Sequence, residues 1–142
     1  MKRSLAILLA LALALSCCVG FAIAADDEIT PYASLTIFKT TAGSYTGENK
    51  GEVDFDFGIY ATAPADLLGA CSIVIHKPDG TTESVVGTVQ NGMIGSGSVH
   101  AGTYTYKGIP GQPYYAEITL FATIGSNSDS RTITTKSANA HS

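Results

Sequence analysis

Histidine, cysteine, carboxylate and hydroxyl side chains are where chemistry would start in this chain, and their spacing points away from catalysis. The three histidines are His76, His100 and His141. No two fall at the short spacing of paired zinc ligands, and His141 lies in a terminal tail, so all three read as surface residues. Serine is plentiful, yet no Gly-x-Ser-x-Gly elbow occurs and no strand–helix unit is patterned to carry one. Gly95-Ser96-Gly97 is followed by neither a lysine nor a helix start, which removes a phosphate loop. Glu52, Asp54 and Asp56 offer the oxygen ligands that calcium takes. Alternate strand positions stand in a row and do not converge, so a solvated acidic face is expected instead. Lys39 and Asn139 would be the pair for an intramolecular Lys–Asn isopeptide bond, but no inward Asp or Glu is evident to assist it. Cys71, inside Cys71-Ser72-Ile73-Val74-Ile75, reads as a buried thiol acting as a small hydrophobe. The expectation is a protein that is not an enzyme, with no cofactor and no metal.

The elements that must position these residues read as strands. Period-2 alternation recurs and helical periodicity is almost absent. Residues 34–39 form a first strand, and 41–50 a Gly/Ser/Thr loop containing Tyr45. In 52–60, Val53, Phe55, Phe57 and Ile59 share one face, while Glu52, Asp54, Asp56 and Tyr60 share the other, as in an antiparallel sheet wet on one side. Residues 63–69 read as a connection. Strands at 70–76 and 82–89 are joined by Lys77-Pro78-Asp79-Gly80, a tight hairpin turn because Pro presets φ and Gly accepts a positive one. A flexible loop is expected at 91–97, a strand at 99–106, a turn at 109–113, strands at 114–123 and 131–136, and a frayed tail at 137–142. About seven strands with turn signals at this spacing predict an all-β, two-sheet antiparallel sandwich.

Tyr104-x-Tyr106-x-x-Ile109-Pro110-Gly111-x-x-Tyr114-x-Ala116-x-Ile118-x-Leu120 resembles the E strand, Pro-Gly turn and F strand of immunoglobulin and fibronectin type III-like domains. Tyr114 takes the place of that family's tyrosine-corner residue, and the strand-B Trp is missing. The segments Ile59-Tyr60-Ala61-Thr62, Leu68-Gly69-Ala70 and Ser128-Asp129-Ser130-Arg131-Thr132 are similar to those of small secreted proteins of Gram-positive gut bacteria. No activity is attached to that group, so the resemblance implies a fold and secretion and nothing about a ligand. It also sets the faces. With Tyr114 inward, Ala116, Ile118 and Leu120 follow it; Tyr104 and Tyr106 point inward too. Tyr115, Glu117 and Phe121 then point outward, next to Val74 and His76 of the neighbouring strand. Val74, His76, Tyr115, Glu117 and Phe121 are therefore the candidate binding face on the outer C–F–G sheet.

Lys2 and Arg3 precede a long uncharged, apolar run, and Ala22-Ile23-Ala24 supplies small residues at −3 and −1. This is the pattern of a secretory signal peptide spanning 1–24. A short segment at 25–31, the sandwich domain at 32–137 and a flexible tail at 138–142 would follow. Two alternatives place the chain on a membrane: lipidation at Cys17, after Ala14-Leu15-Ser16, or an uncleaved apolar anchor. Cleavage after Ala24 removes Cys17 and Cys18 and leaves Cys71 alone, so no intrachain disulfide staples the fold. The formal net charge is −4, which excludes a nucleic-acid binder, since phosphate neutralisation needs a Lys/Arg surplus. The leading expectation is a secreted extracellular binding or adhesion module whose partner is a protein or a glycan. A self-assembling surface protein is the alternative, and a secreted hydrolase the third reading.

Overall fold

A computed structural model describes residues 36–142. The signal-peptide, lipidation and anchor expectations, and the 25–31 segment, lie outside the described residues. Seven antiparallel strands make up the chain from there: β1 (Ile37–Thr46), β2 (Glu52–His76), β3 (Thr82–Val86), β4 (Ile94–Lys107), β5 (Pro113–Ile124), β6 (Asn127–Thr134) and β7 (Ala138–Asn139). The all-β antiparallel expectation therefore holds, with no helix among the described residues. The division into two sheets does not: the strands form one hydrogen-bonded sheet curled into a half-barrel.

The cause is β2, whose 25 residues run without a break. Straight, they would span roughly 80 Å, several times the radius of a domain this size, so the strand must bend. Its first half (53–61) is paired with β1 on one side and β4 on the other. Its second half (67–76) is paired with β5 and β3. Between them the β4 pairing slips twice, from Tyr60 to Ala65 and from Ala65 to Leu68. Pro64, which cannot donate to a ladder, sits inside this irregular stretch. Gly69 follows at φ +148°, with the carbonyl of Met93 so close that a Cβ would sit 2.1 Å from it. The 63–69 run, bounded by Pro64 and Gly69, that reads as a connection is thus the corner of a continuous strand.

A bulge completes the bend. Ala70 faces Leu120 and Ser72 faces Thr119, which leaves Cys71 as the extra residue of β2. It re-phases the alternation. Val53, Phe55, Phe57 and Ile59 point inward before the corner, and Ile73 and Ile75 after the bulge. They meet Ala116, Ile118 and Leu120 of β5 in one core. Each large side chain buried there contributes about 1.5–3 kcal/mol. Cys71 is buried, 3% exposed, as expected of a small hydrophobe.

Three other segments differ from their sequence reading. Residues 41–46 are strand, paired residue by residue from Thr41↔Gly58 to Thr46↔Val53. Small residues suit that strand, because its outward neighbours on β2 include bare Gly58. The 91–97 loop is half strand, and Asn91 knots the turn before it by accepting from the Thr88 and Met93 amides and donating to Val86 O. The tail at 137–142 is built in: Ala140 is 1% exposed. Its amide donates to Gln112 O, and its carbonyl accepts from Gly111 N. Beyond it, His141 exchanges backbone bonds with Gly51 and Glu52, and its Nδ1 donates to Gly47 O. Together with Arg131 Nη2 on Ile37 O, Thr46 Oγ1 on Asn139 O and Ser44 Oγ on Thr135 Oγ1, these bonds seam β1 to the β6–β7 side.

Tyr114 is 2% exposed, and its hydroxyl accepts the Ile109 amide at 2.8 Å. Tyr114→Phe keeps the ring and leaves that amide without its partner, so it should cost about 1–2 kcal/mol, read as a lower urea midpoint at unchanged m. Deletion of residues 138–142 should lower the midpoint further. Equal midpoints for wild type and both variants would contradict the seam and the stabilising role of the Tyr114–Ile109 hydrogen bond.

Candidate functional site

The outer face of β3–β2–β5–β6 is built by direct cross-strand pairing. One row reads Thr82, His76, Tyr115; the next Ser84, Val74, Glu117, Thr134; the next Val86, Ser72, Thr119, Thr132. Opposite residues share a face, so four of the five expected side chains come together. The His76 and Tyr115 rings stack 4.3 Å apart at an interplanar angle of 7°. His76 Nε2 lies 2.8 Å from Glu117 Oε2, and Val74 pairs with Glu117 beside it. The cluster is held from below by the pleat and from the side by the carboxylate. Tyr115 is 39% exposed, so its ring is fixed and still reaches solvent.

Phe121 is the correction. It was expected outward with Tyr115, and it is 4% exposed. It pairs with Gly69 and Ser130, next to the Cys71 bulge. Leu120 and Ala122 belong to the core cluster and Phe121 does not, yet all three are buried, so facing away from the core does not leave a side chain exposed at that level. The candidate face shortens to Val74, His76, Tyr115 and Glu117.

The remaining chemistry-bearing residues are accounted for one by one. Asp54 Oδ1 accepts from Thr105 Oγ1 at 2.6 Å and Asp56 Oδ1 from Thr103 Oγ1 at 2.7 Å, across β2 and β4. Glu52 Oε2 accepts from the backbone and side-chain nitrogens of Asn49. The three carboxylates stand in a row as the alternation requires. Lys39 and Asn139 do not meet. Lys39 lies 5.7 Å over the Tyr60 ring, while Asn139 O binds Thr46, seven residues further along β1 or roughly 23 Å at strand rise. His100 donates from Nε2 to Gly92 O at 2.8 Å, closing the 88–93 turn onto β4.

A second group escaped sequence reasoning. Lys77 Nζ lies 2.9 Å from Glu83 Oε2 and 6.0 Å over the Tyr106 ring, and the Tyr106 hydroxyl donates to the same Glu83 oxygen at 3.2 Å. Both flanking turns, 77–80 and 109–113, are legible in the sequence. Their convergence is not, because it depends on how far β2 bends.

The members of this group shift one another. The Lys77 hydrogen bond holds Glu83 below the ordinary glutamate range, and Glu83 in turn raises Lys77. The Thr81 hydroxyl and amide hold Asp79 low, and Asn49 does the same for Glu52. Burial raises the Tyr106 phenol, with the Glu83 charge adding to it.

No protein-family model matches the chain, and neither the curated proteins nor the solved structures contain a match to it.

Carboxylates held low stabilise the fold above their unfolded values, and that stability is lost as pH falls through the folded ones. A raised Lys77 contributes below its ordinary value and ceases to as pH rises through the folded one. The raised Tyr106 acts the same way, since the fold holds the neutral phenol. The urea midpoint should therefore be flat between about pH 5 and pH 9 and fall on both sides. Glu83→Gln should shallow both limbs; a profile identical to wild type would show that the group does not couple to folding.

Proposed function

We propose that the chain is a secreted extracellular binding or adhesion module, not an enzyme, which engages a protein or glycan partner through the outer face carrying His76, Tyr115, Glu117 and Val74. The observation that supports this most is the His76–Tyr115 stack braced by Glu117. A flat aromatic–imidazole surface already fixed in place loses little side-chain entropy on contact. Its rims of Ser and Thr offer adaptable hydrogen bonds, the composition favoured in recognition surfaces. Export is supported by the Lys2-Arg3 start, the apolar run and Ala22-Ile23-Ala24. Kinship to immunoglobulin or fibronectin type III-like secreted proteins of Gram-positive bacteria is supported by the Tyr114 hydroxyl on the Ile109 amide, the contact a tyrosine corner makes with backbone just upstream.

One observation favours self-assembly as a second reading. Among the described residues β4 pairs only with β2. Its 14 residues carry no charged side chain before the terminal Lys107, apart from the titratable His100. An edge that long and that poorly guarded is a template for another strand.

The purified protein should be retained on one of mucin, peptidoglycan, insoluble polysaccharide or immobilised host-cell proteins. Tyr115→Ala and His76→Ala should each weaken retention about tenfold, the loss of one well-packed interface anchor. Retention indifferent to both variants would remove the face. A sedimentation coefficient that rises with concentration and reverts in Thr103→Lys, on the β4 edge, would replace the binding reading with assembly.

A further inference from the structure

We infer that the chain carries a second ligand site, a cleft for a single neutral sugar ring, where the β2–β3 and β4–β5 turns converge. The cleft has a volume of about 400 Å³. That lies within the roughly 300–1,000 Å³ of small-molecule sites, at the lower end suited to one ring.

Its lining alternates in character. Pro78 and Ile109 supply apolar surface, and Ile109 is 64% exposed with no core to serve. Behind them the Tyr106 and Tyr114 rings stand 5.5 Å apart, tilted by 55°. Lys77, Lys107 and Asp79 bring donors and acceptors to the rim. A pyranose has the matching anatomy, with C–H faces that suit apolar and aromatic walls and a girdle of hydroxyls that both donate and accept.

Lys77, the Tyr106 hydroxyl and Asp79 are already held. Glu83 fixes Lys77 and the Tyr106 hydroxyl. Thr81 fixes the Asp79 carboxylate through its amide at 2.9 Å and its hydroxyl at 2.6 Å. The wall formed by Gly108 and Ile109 is seated on Tyr114. The Ile109 amide bonds the Tyr114 hydroxyl, and a Cβ on Gly108 would sit 2.5 Å from the ring. A ligand therefore pays little to order the walls.

The charges decide the ligand class. Lys77, Lys107 and Asp79 are the charged lining residues, and Glu83, just outside the lining and paired with Lys77, balances the second lysine, so an anionic or cationic ligand gains little net attraction. The cleft is independent of the proposed partner-binding face: Tyr114 and Tyr115 are adjacent on β5 and point to opposite sides of the sheet.

The test is an NMR titration of the ¹⁵N-labelled protein with methyl glucoside, methyl galactoside, N-acetylglucosamine and glucuronate. At least one neutral sugar should shift the amides of residues 77–80 and 107–111 with a Kd on the order of 1 mM, as a lone ring allows. Ile109→Ser and Lys107→Ala, both at exposed positions, should each weaken it about fivefold or more, and Tyr115→Ala should leave it unchanged. Shifts that persist in Ile109→Ser and vanish in Tyr115→Ala would move the sugar to the outer face and overturn the cleft. So would silence from every sugar at about ten times that concentration, or glucuronate binding about tenfold tighter than any neutral ring.

Discussion

A 25-residue strand cannot lie straight in a domain of this size, and the rest of the molecule follows from how β2 bends. Before its corner it templates β1 and β4, and after it β5 and β3. One backbone therefore fixes the relative placement of both halves of the half-barrel. Pro64 withholds a ladder donor, Gly69 takes a conformation closed to other residues, and Cys71 adds the extra residue that restores the inward phase. Without that re-phasing, Ile73 and Ile75 would face water and Ser72 and Val74 the core, a loss of several kcal/mol.

The bend leaves two sides of the half-barrel in different conditions. On one, β1 is tied to β6 and β7 by side-chain and tail hydrogen bonds. On the other, β4 and β3 do not pair with each other among the described residues, and the Lys77–Glu83–Tyr106 contacts lie between them. The cleft opens at the end of that second side, and the free β4 edge runs along it. The His76–Tyr115–Glu117 cluster sits one sheet thickness away. The His76–Tyr115 face, the cleft and the β4 edge are thus consequences of one geometry.

Hydrophobic alternation made much of the fold legible. The inward set of 52–60 and of 114–120 is found buried, and the two Pro-Gly-bearing turns form where they were expected. The site was legible in part for the same reason. Once Tyr114 points in, Tyr115 and Glu117 must point out, and pairing brings His76 and Val74 to them. Phe121 was expected to be exposed because parity assigns a face and not what covers it, and it is buried. Residues 41–46 were read as loop because Ala42, Gly43 and Ser44 interrupt the strand-forming residues, whereas a regular β2 beside them supplies the pairing.

The sequence by itself determined the class of structure: antiparallel strands, an apolar face, a net negative surface and turns at 77–80 and 109–113. These are local properties, set by side-chain period and backbone preference. Only the tertiary structure decided that the strands form one curled sheet, that 63–69 is a corner, that the tail is a strap, and that Lys77 and Tyr106 share Glu83. Those outcomes depend on contacts between residues far apart in the chain, and a one-residue bulge or a single glycine at the corner changes them all at once.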